Sequence, residues 1–213
     1  RRSCDSFKFV SDALELPSDV PLSAVLYDAR GHGDSTGWEP YASLGQFHWR
    51  SLAFDMLFVA DRHQPAGKRG SIIGGFSMGA STALWAAYSH PTAVRGLVLL
   101  CVTTGWEIRA ARRGNLIANA DALEATRPEY SRVVRGAAFA DLPSVEELEK
   151  AELEMPIFLA CARDDATHPA AVIERLRDAL KPSRVLITDT TEELQRQWPS
   201  ALRAWHQEHF GRE

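Results

Sequence analysis

The segment of residues 71–81 constrains the fold of this 213-residue chain more than any other stretch. A short apolar run leads into the pattern Gly-x-Ser-x-Gly at residues 75–79, and helix-forming residues follow through Ala87. This order predicts a buried strand, a sharp turn and a helix. Glycine suits both flanking positions, because side chains there are expected to collide with the neighbouring strand and helix. Ser77 is therefore predicted to lie in a strained turn directly before a helix.

A serine in such a turn points its hydroxyl away from the sheet and is a candidate nucleophile. The first N–H groups of the following helix, including that of Met78, face any negative charge that develops beside the serine. The alternative is a glycine-rich turn with an incidental serine, which the flanking strand and helix disfavour. A serine hydroxyl also needs a general base to react near neutral pH, and the rest of the chain has to supply one.

Strands and helices alternate along most of the chain, which predicts a mostly parallel sheet flanked by helices. The expected strands are 24–28, 71–74, 96–102, 156–162 and 184–187. The expected helices outside the turn segment are 6–14, 46–62, 170–180 and 199–210. The alternation stops within residues 103–155, where only helical patterns occur, at 108–125, 129–136 and 145–153.

Composition argues against several classes of partner. The net charge of −4, with no basic run longer than Arg112-Arg113, disfavours nucleic acid and anionic membranes. The apolar run Leu97–Val102 is far too short to span a bilayer. Three scattered cysteines fit a reducing compartment, so we expect a cytoplasmic location. No Cys/His group has metal-ligand spacing and no glycine-rich phosphate loop is present, so we expect no metal and no cofactor. The candidate nucleophile Ser77 leads us to expect a small-molecule substrate.

Two motifs together resemble the α/β-hydrolase superfamily: DARGHGDS at residues 28–35 and Gly-Phe-Ser-Met-Gly at residues 75–79. The resemblance implies an α/β-hydrolase fold in which residues 103–155 form a small helical lid. The core then comprises residues 1–102 and 156–213. In this family the lid covers the nucleophile and selects substrates.

The resemblance also implies roles for individual residues. The catalytic acid follows the strand at 156–162 and precedes a proline by four positions, which fits Asp165 and not Asp164. Ser77 is the implied nucleophile, and the backbone N–H of Met78 is one implied oxyanion donor. Trp106, at the lid entrance, and Phe76, beside the serine, are predicted to line the substrate pocket.

The general base departs from the family pattern. The family places a histidine after the last strand, but residues 189–194 contain none. His168 is the candidate base, because it lies three residues after Asp165 on a loop at the same sheet edge as Ser77. The alternative reading of His168 is a helix-start residue beside Pro169. A further alternative base is Glu192, or a histidine from a partner chain.

The N-terminus also departs from the family pattern, which has strands before the position of Arg1. One of them normally lies between the strands at 24–28 and 71–74, and its removal leaves unpaired edges. We therefore expect a longer natural chain, or a homodimer or partner chain that fills the gap.

Two function classes remain open on the sequence alone. The first is a serine hydrolase acting on an ester, lactone or related acyl or carbon–carbon substrate through Ser77. The second is a non-catalytic protein of the same fold, which serves as a binding module or as a subunit of an assembly. Arg109, Arg112 and Arg113 either bind a substrate carboxylate or form a solvated helix face.

Overall fold

The centre of the fold, in the part of the chain that the structure describes, is a parallel sheet of four strands whose spatial order follows the chain. The computed structural model describes residues 24–35, 43–64 and 70–211. The strands are β1 (Ser71–Phe76), β2 (Val94–Leu100), β3 (Ile157–Ala162) and β4 (Arg184–Thr188). In their register Ile73 lies opposite Leu97, Leu99 opposite Leu159, and Ala160 opposite Leu186. The mostly parallel sheet expected from the alternation is confirmed.

Helices cover both faces of this sheet. Within the described residues they are α1 (Trp49–Arg62), α2 (Met78–Ser89), α3 (Trp106–Leu123), α4 (Pro128–Ala138), α5 (Val145–Ala151), α6 (Ala170–Leu180) and α7 (Thr191–Phe210). None of these helices is long and apolar enough to cross a bilayer. The helix expected at 6–14 lies outside the described residues.

Strand β3 shows how the two faces are packed. All six of its residues are buried, as expected for a central strand of a parallel sheet. Alternate side chains enter two different clusters, because successive residues of a strand point to opposite faces. Ile157, Leu159 and Cys161 join the cluster formed with α1, α2 and α6. The residues between them join the cluster formed with α7.

Helix α7 begins eight residues earlier than the sequence predicts, at Thr191 instead of Pro199. Thr190 caps its N-terminus, because the Thr190 hydroxyl accepts the N–H of Glu193. Four buried side chains form one stripe along the helix: Leu194, Trp198, Leu202 and Trp205. This stripe spans Pro199, so packing against the sheet outweighs the cost of a proline inside a helix.

The strand expected at 24–28 does not form, and residues 24–29 have no regular secondary structure. A strand requires backbone pairing, and these residues belong to none of the described strand pairs. Val25 and Leu26 are each 41% exposed, in contrast to the buried strand that their apolar character suggests. The turn that follows is held to α1 by Arg30, whose guanidinium donates two hydrogen bonds to Asp55, at 3.1 and 2.7 Å.

The segment between β2 and β3 is helical, as the sequence predicts. It contains α3, α4 and α5, and residues 103–155, all of them described, contain no strand. The three helices start within two residues of their predicted starts at 108, 129 and 145. We call α3, α4 and α5 together the inserted helices.

Candidate active site

The turn between β1 and α2 has the strain that the sequence predicts. Ser77 lies between the two elements with φ 57° and ψ −117°, a region that side chains rarely adopt. Its N–H donates to the carbonyl of Leu100 on β2, at 3.0 Å, which fixes the turn to the neighbouring strand. Met78 is the first residue of α2, so its N–H has no partner within the helix ladder and lies directly beside the serine.

The two glycines of the turn have different roles. A Cβ built on Gly75 falls 2.4 Å from the carbonyl carbon of Gly79, so Gly75 leaves no room for a side chain. A Cβ built on Gly79 meets nothing within 4 Å. The expectation that both positions exclude side chains is therefore wrong for Gly79. The crowding arises because the Gly79 backbone occupies the space that a side chain at position 75 would need.

Ser77, His168 and Asp165 form a connected line of hydrogen bonds. The Nε2 atom of His168 lies 2.9 Å from the Ser77 Oγ, and its Nδ1 lies 2.7 Å from the Asp165 Oδ2. The carboxylate can only accept, so it selects the tautomer with the proton on Nδ1. Nε2 is then left to accept the serine hydroxyl proton. His168 is 6% exposed, so its imidazole ring is largely shielded from water.

The loop between β3 and α6 carries both Asp165 and His168, the predicted acid and base. The other Asp165 oxygen, Oδ1, accepts the backbone N–H groups of Thr167 at 2.8 Å and His168 at 3.2 Å. Burial alone raises the pKa of Asp165. The hydrogen bond from His168, the His168 charge and the two backbone amides outweigh burial, so the pKa of Asp165 is lowered overall. The carboxyl is therefore a carboxylate near neutral pH.

The neighbouring carboxylate, Asp164, faces another part of the molecule. Its Oδ1 accepts both the N–H and the hydroxyl of Thr191, each at 2.8 Å, at the first residue of α7. The loop in which the family pattern places a histidine is thus the capped start of a helix. Glu192 lies exposed in the first turn of that helix.

Comparison with known proteins shows the family and the fold of the chain. A family described as the alpha/beta hydrolase fold matches residues 23–148, more than half of the chain. The chain belongs to the α/β-hydrolase family. No curated protein is similar enough in sequence to match it.

Solved structures of α/β hydrolases share its fold at low sequence identity. A hydrolase from Pseudomonas aeruginosa PA01 is 19% identical, with a TM-score of 0.69 over 95% of this chain and 85% of that one. A lipase-esterase related protein from Clostridium acetobutylicum ATCC 824 is 16% identical, with a TM-score of 0.67 over 95% and 89%. A thermophilic esterase from Thermogutta terrifontis is 18% identical, with a TM-score of 0.61 over 92% and 85%.

Two side chains of this α/β hydrolase lie close to its candidate base. The Phe76 ring meets the His168 ring edge to face, with centroids 5.2 Å apart. Cys101, at the end of β2, has potential ligand atoms within 4.8 Å of those of Asp165 and His168, the one such group among the described residues. Burial and the nearby Asp165 carboxylate raise the pKa of Cys101 to about 12, so its sulfur is a thiol. Because metals bind the thiolate, and Asp165 and His168 are already bonded to each other, we assign no metal to this group.

The three arginines of α3 contact backbone carbonyls, which neither sequence-based alternative anticipates. Arg109 is buried and donates to the carbonyls of Ala137 and Ala140, and burial lowers its pKa to about 10. Arg113 donates to the carbonyl of Ala138, at 3.3 Å. These two side chains fasten α3 to the end of α4.

Arg112 points the other way and reaches the loop between β3 and α6. Its guanidinium donates to the carbonyls of Ala166, at 2.7 Å, and Thr167, at 3.3 Å. The sequence offered no direct signal for this contact, because the partners are backbone atoms more than fifty residues away.

Trp106 lies at the start of the inserted helices and is held there by polar contacts. Its indole N–H donates to the carbonyl of Pro143, at 2.9 Å, and its backbone N–H donates to Asp141, at 2.8 Å. The Arg175 guanidinium lies 4.2 Å from its ring centroid. The Arg175 contact joins the inserted helices to α6. A role of Trp106 in lining a substrate pocket stays a prediction.

Proposed function

We propose that this α/β hydrolase is a serine hydrolase that cleaves an ester, lactone or related small acyl or carbon–carbon substrate. The observation that carries the proposal is the position of His168. One ring nitrogen lies 2.9 Å from the Ser77 hydroxyl and the other lies 2.7 Å from Asp165. This is the relation among nucleophile, base and orienting acid that acyl transfer requires.

The geometry supports a two-stage reaction. Ser77 Oγ attacks the substrate carbonyl carbon while its proton passes to His168 Nε2. The Met78 N–H at the start of α2 stabilises the oxyanion. Collapse of the tetrahedral intermediate breaks the bond to the leaving group, which takes the proton from His168 and leaves an acyl-serine. Water then attacks the acyl-serine with His168 as base, which releases the acid and restores Ser77.

Asp165 keeps its negative charge throughout this sequence. Its lowered pKa favours the carboxylate, which holds His168 with Nδ1 protonated and stabilises the imidazolium that forms in each stage. Phe76 packs against the imidazole ring and restricts its orientation. Asp165 and Phe76 thus serve as positioning residues for the base.

The position of His168 also favours the hydrolase class over the non-catalytic class. The non-catalytic alternative was favoured by the absence of a histidine from residues 189–194. A histidine from the neighbouring loop supplies the same bond to Ser77, so this reason for the alternative no longer applies. The names of the structural neighbours, an esterase and a lipase-esterase related protein among them, point to ester chemistry.

We further propose that the inserted helices form the lid and that the described residues within 1–102 and 156–213 form the core. Support comes from Arg112, which places α3 directly against the loop that bears Asp165 and His168. We retain a cytoplasmic location as a proposal, because the described cysteines, Cys101 and Cys161, are both free. A homodimer or partner chain stays a prediction.

Turnover of short-chain p-nitrophenyl esters tests the proposed function. The wild type is expected to release p-nitrophenol with saturation kinetics, and Ser77→Ala is expected to lose this activity while it keeps the wild-type fold. Equal turnover by the two proteins would contradict Ser77 as nucleophile. A wild type that hydrolyses no acyl substrate in a broad panel would favour the non-catalytic class.

A further inference from the structure

The loop between β3 and α6, which we call the catalytic loop, carries two of the three proposed catalytic residues. Asp165 and His168 lie three residues apart on one segment without regular secondary structure, so one movement displaces both from Ser77. Ala166 and Thr167, between them, are exposed, and exposed loops are where local opening of a fold begins. The geometry of acid and base therefore depends on what holds the middle of this loop.

Both ends of the loop are fastened to the core. The N–H of Arg163 donates to the Thr188 carbonyl at 2.9 Å, and the Asp164 carboxylate caps α7 at Thr191. At the far end the Pro169 carbonyl accepts the N–H of Val172 in the first turn of α6. The middle of the loop is held on the side that faces Ser77 by the Asp165 carboxylate, which accepts the backbone N–H groups of residues 167 and 168.

The outer side of the middle is held by Arg112. Its guanidinium donates to two successive carbonyls, those of Ala166 and Thr167. A planar group with several donors in a fixed fork suits two neighbouring acceptors, because little freedom is lost per bond formed. Arg112 is carried on a helix that Arg109 and Arg113 already fasten to α4, so the contact starts from a fixed position.

We propose that Arg112 is a positioning residue, through which the inserted helices hold Asp165 and His168 in register with Ser77. The inference rests on the proposed function for its catalytic consequence. A displacement of about 1 Å in a reacting group can cost on the order of 100-fold in rate. A movement of α3 that breaks the two hydrogen bonds from Arg112 to the loop carbonyls thus lowers the reactivity of Ser77. No residue that touches substrate needs to change.

Arg112→Met is the variant that isolates this contact, because it keeps the apolar stem and removes every donor. Arg175→Met is the matched control. Arg175 also joins the inserted helices to the core, through Glu107 and the Trp106 ring, whereas the loop carbonyls of Ala166 and Thr167 accept from Arg112. Arg112→Lys is the conservative variant. Its ammonium group keeps the charge and can donate from a single nitrogen, but it lacks the planar pair of nitrogens that reaches two carbonyls.

The first measurement is the rate at which a fluorophosphonate probe reacts with Ser77, across probe concentrations. For Arg112→Met we expect the limiting rate constant to fall roughly 10- to 100-fold, with little change in the half-saturating concentration. Arg112→Lys is expected to recover part of the rate, and Arg175→Met to react like the wild type. A wild-type rate in folded Arg112→Met, or an equal loss in Arg175→Met, would overturn the proposal.

The second measurement does not depend on activity. Hydrogen exchange of a peptide covering residues 163–168 is expected to be faster in Arg112→Met than in the wild type and in Arg175→Met. Unchanged exchange would refute the positioning role whatever the activity. If the wild type proves unreactive but exchange accelerates as expected, the positioning role stands and the hydrolase proposal fails. If Arg112→Met does not fold, Arg112→Lys and Arg112→Gln take its place, and wild-type rate and exchange in both would overturn the role.

Discussion

His168 Nε2 lies 2.9 Å from Ser77 Oγ, although the two residues are 91 positions apart in the sequence. The contact joins the loop after β3 to the turn after β1 across the intervening strand β2. It is possible because all four strands are parallel, so their carboxyl ends share one edge of the sheet. In the proposed mechanism the same loop therefore supplies the base and the acid, and the residues after β4 begin helix α7.

Removal of this base is expected to cost most of the activity. His168→Ala should lower kcat/KM for an ester substrate by ~10²–10⁴, because no group remains to take the serine proton. His63→Ala is the matched control, since His63 is an exposed residue at the end of α1. Full activity in His168→Ala would show that the base lies elsewhere, with Glu192 or a partner's histidine as the next candidate.

The adjacent carboxylates are expected to separate into a structural and a catalytic one. Asp164→Asn weakens the acceptor that caps α7 at Thr191 and should lower the free energy of unfolding by about 1 kcal/mol, with a small effect on rate. Asp165→Asn should lower the rate far more. Urea unfolding and ester turnover of both variants test this separation, and a larger rate loss in Asp164→Asn would reverse the assignment.

The two glycines of the turn give a second matched pair. Gly75→Ala places a Cβ 2.4 Å from backbone of Gly79, so it should destabilise the protein by about 1–3 kcal/mol or more and disrupt the turn. Gly79→Ala lies within α2 with open space around it and should be neutral or stabilising by up to ~1 kcal/mol. Thermal unfolding and probe reaction of both variants check this, and comparable damage from the two substitutions would contradict the geometry.

The lowered pKa of Asp165 predicts a dependence of stability on pH. A carboxyl whose pKa is lower in the folded state adds stability above its unfolded-state pKa and loses it as pH falls through the folded-state value. The stability advantage of the wild type over Asp165→Asn should therefore shrink as the pH falls below about 4. Urea midpoints of the two proteins between neutral and acid pH measure this, and a constant difference over that range would count against it.

Local patterns were enough to predict most of the fold. The alternation of apolar runs and helical segments predicted the parallel sheet and the helices between β2 and β3. The sheet and these helices depend on residues close together in the chain, so a single sequence carries them. The choice of Asp165 over Asp164 came from the resemblance to the α/β-hydrolase superfamily, and its catalytic role stays a prediction, although its Oδ2 lies 2.7 Å from His168 Nδ1.

Features that depend on tertiary contacts were not predictable in the same way. The early start of α7 at Thr191 follows from burial of its apolar stripe and from the Asp164 cap, both of which involve distant parts of the chain. Gly79 was expected to be crowded, but the direction of the close approach is set by the three-dimensional turn. The partners of Arg112 are carbonyl oxygens, which have no sequence signature.

Mass mapping of a covalent adduct tests the central claim, that His168 activates Ser77. Wild type, Ser77→Ala and His168→Ala are treated with a fluorophosphonate probe and digested with trypsin, which releases Ser77 within the peptide Gly70–Arg95. We expect the probe mass on that peptide, at Ser77, in the wild type, and at most a trace after the same exposure in His168→Ala. A wild type that carries no adduct, an adduct at another residue, or equal labelling of Ser77 in His168→Ala would contradict the claim.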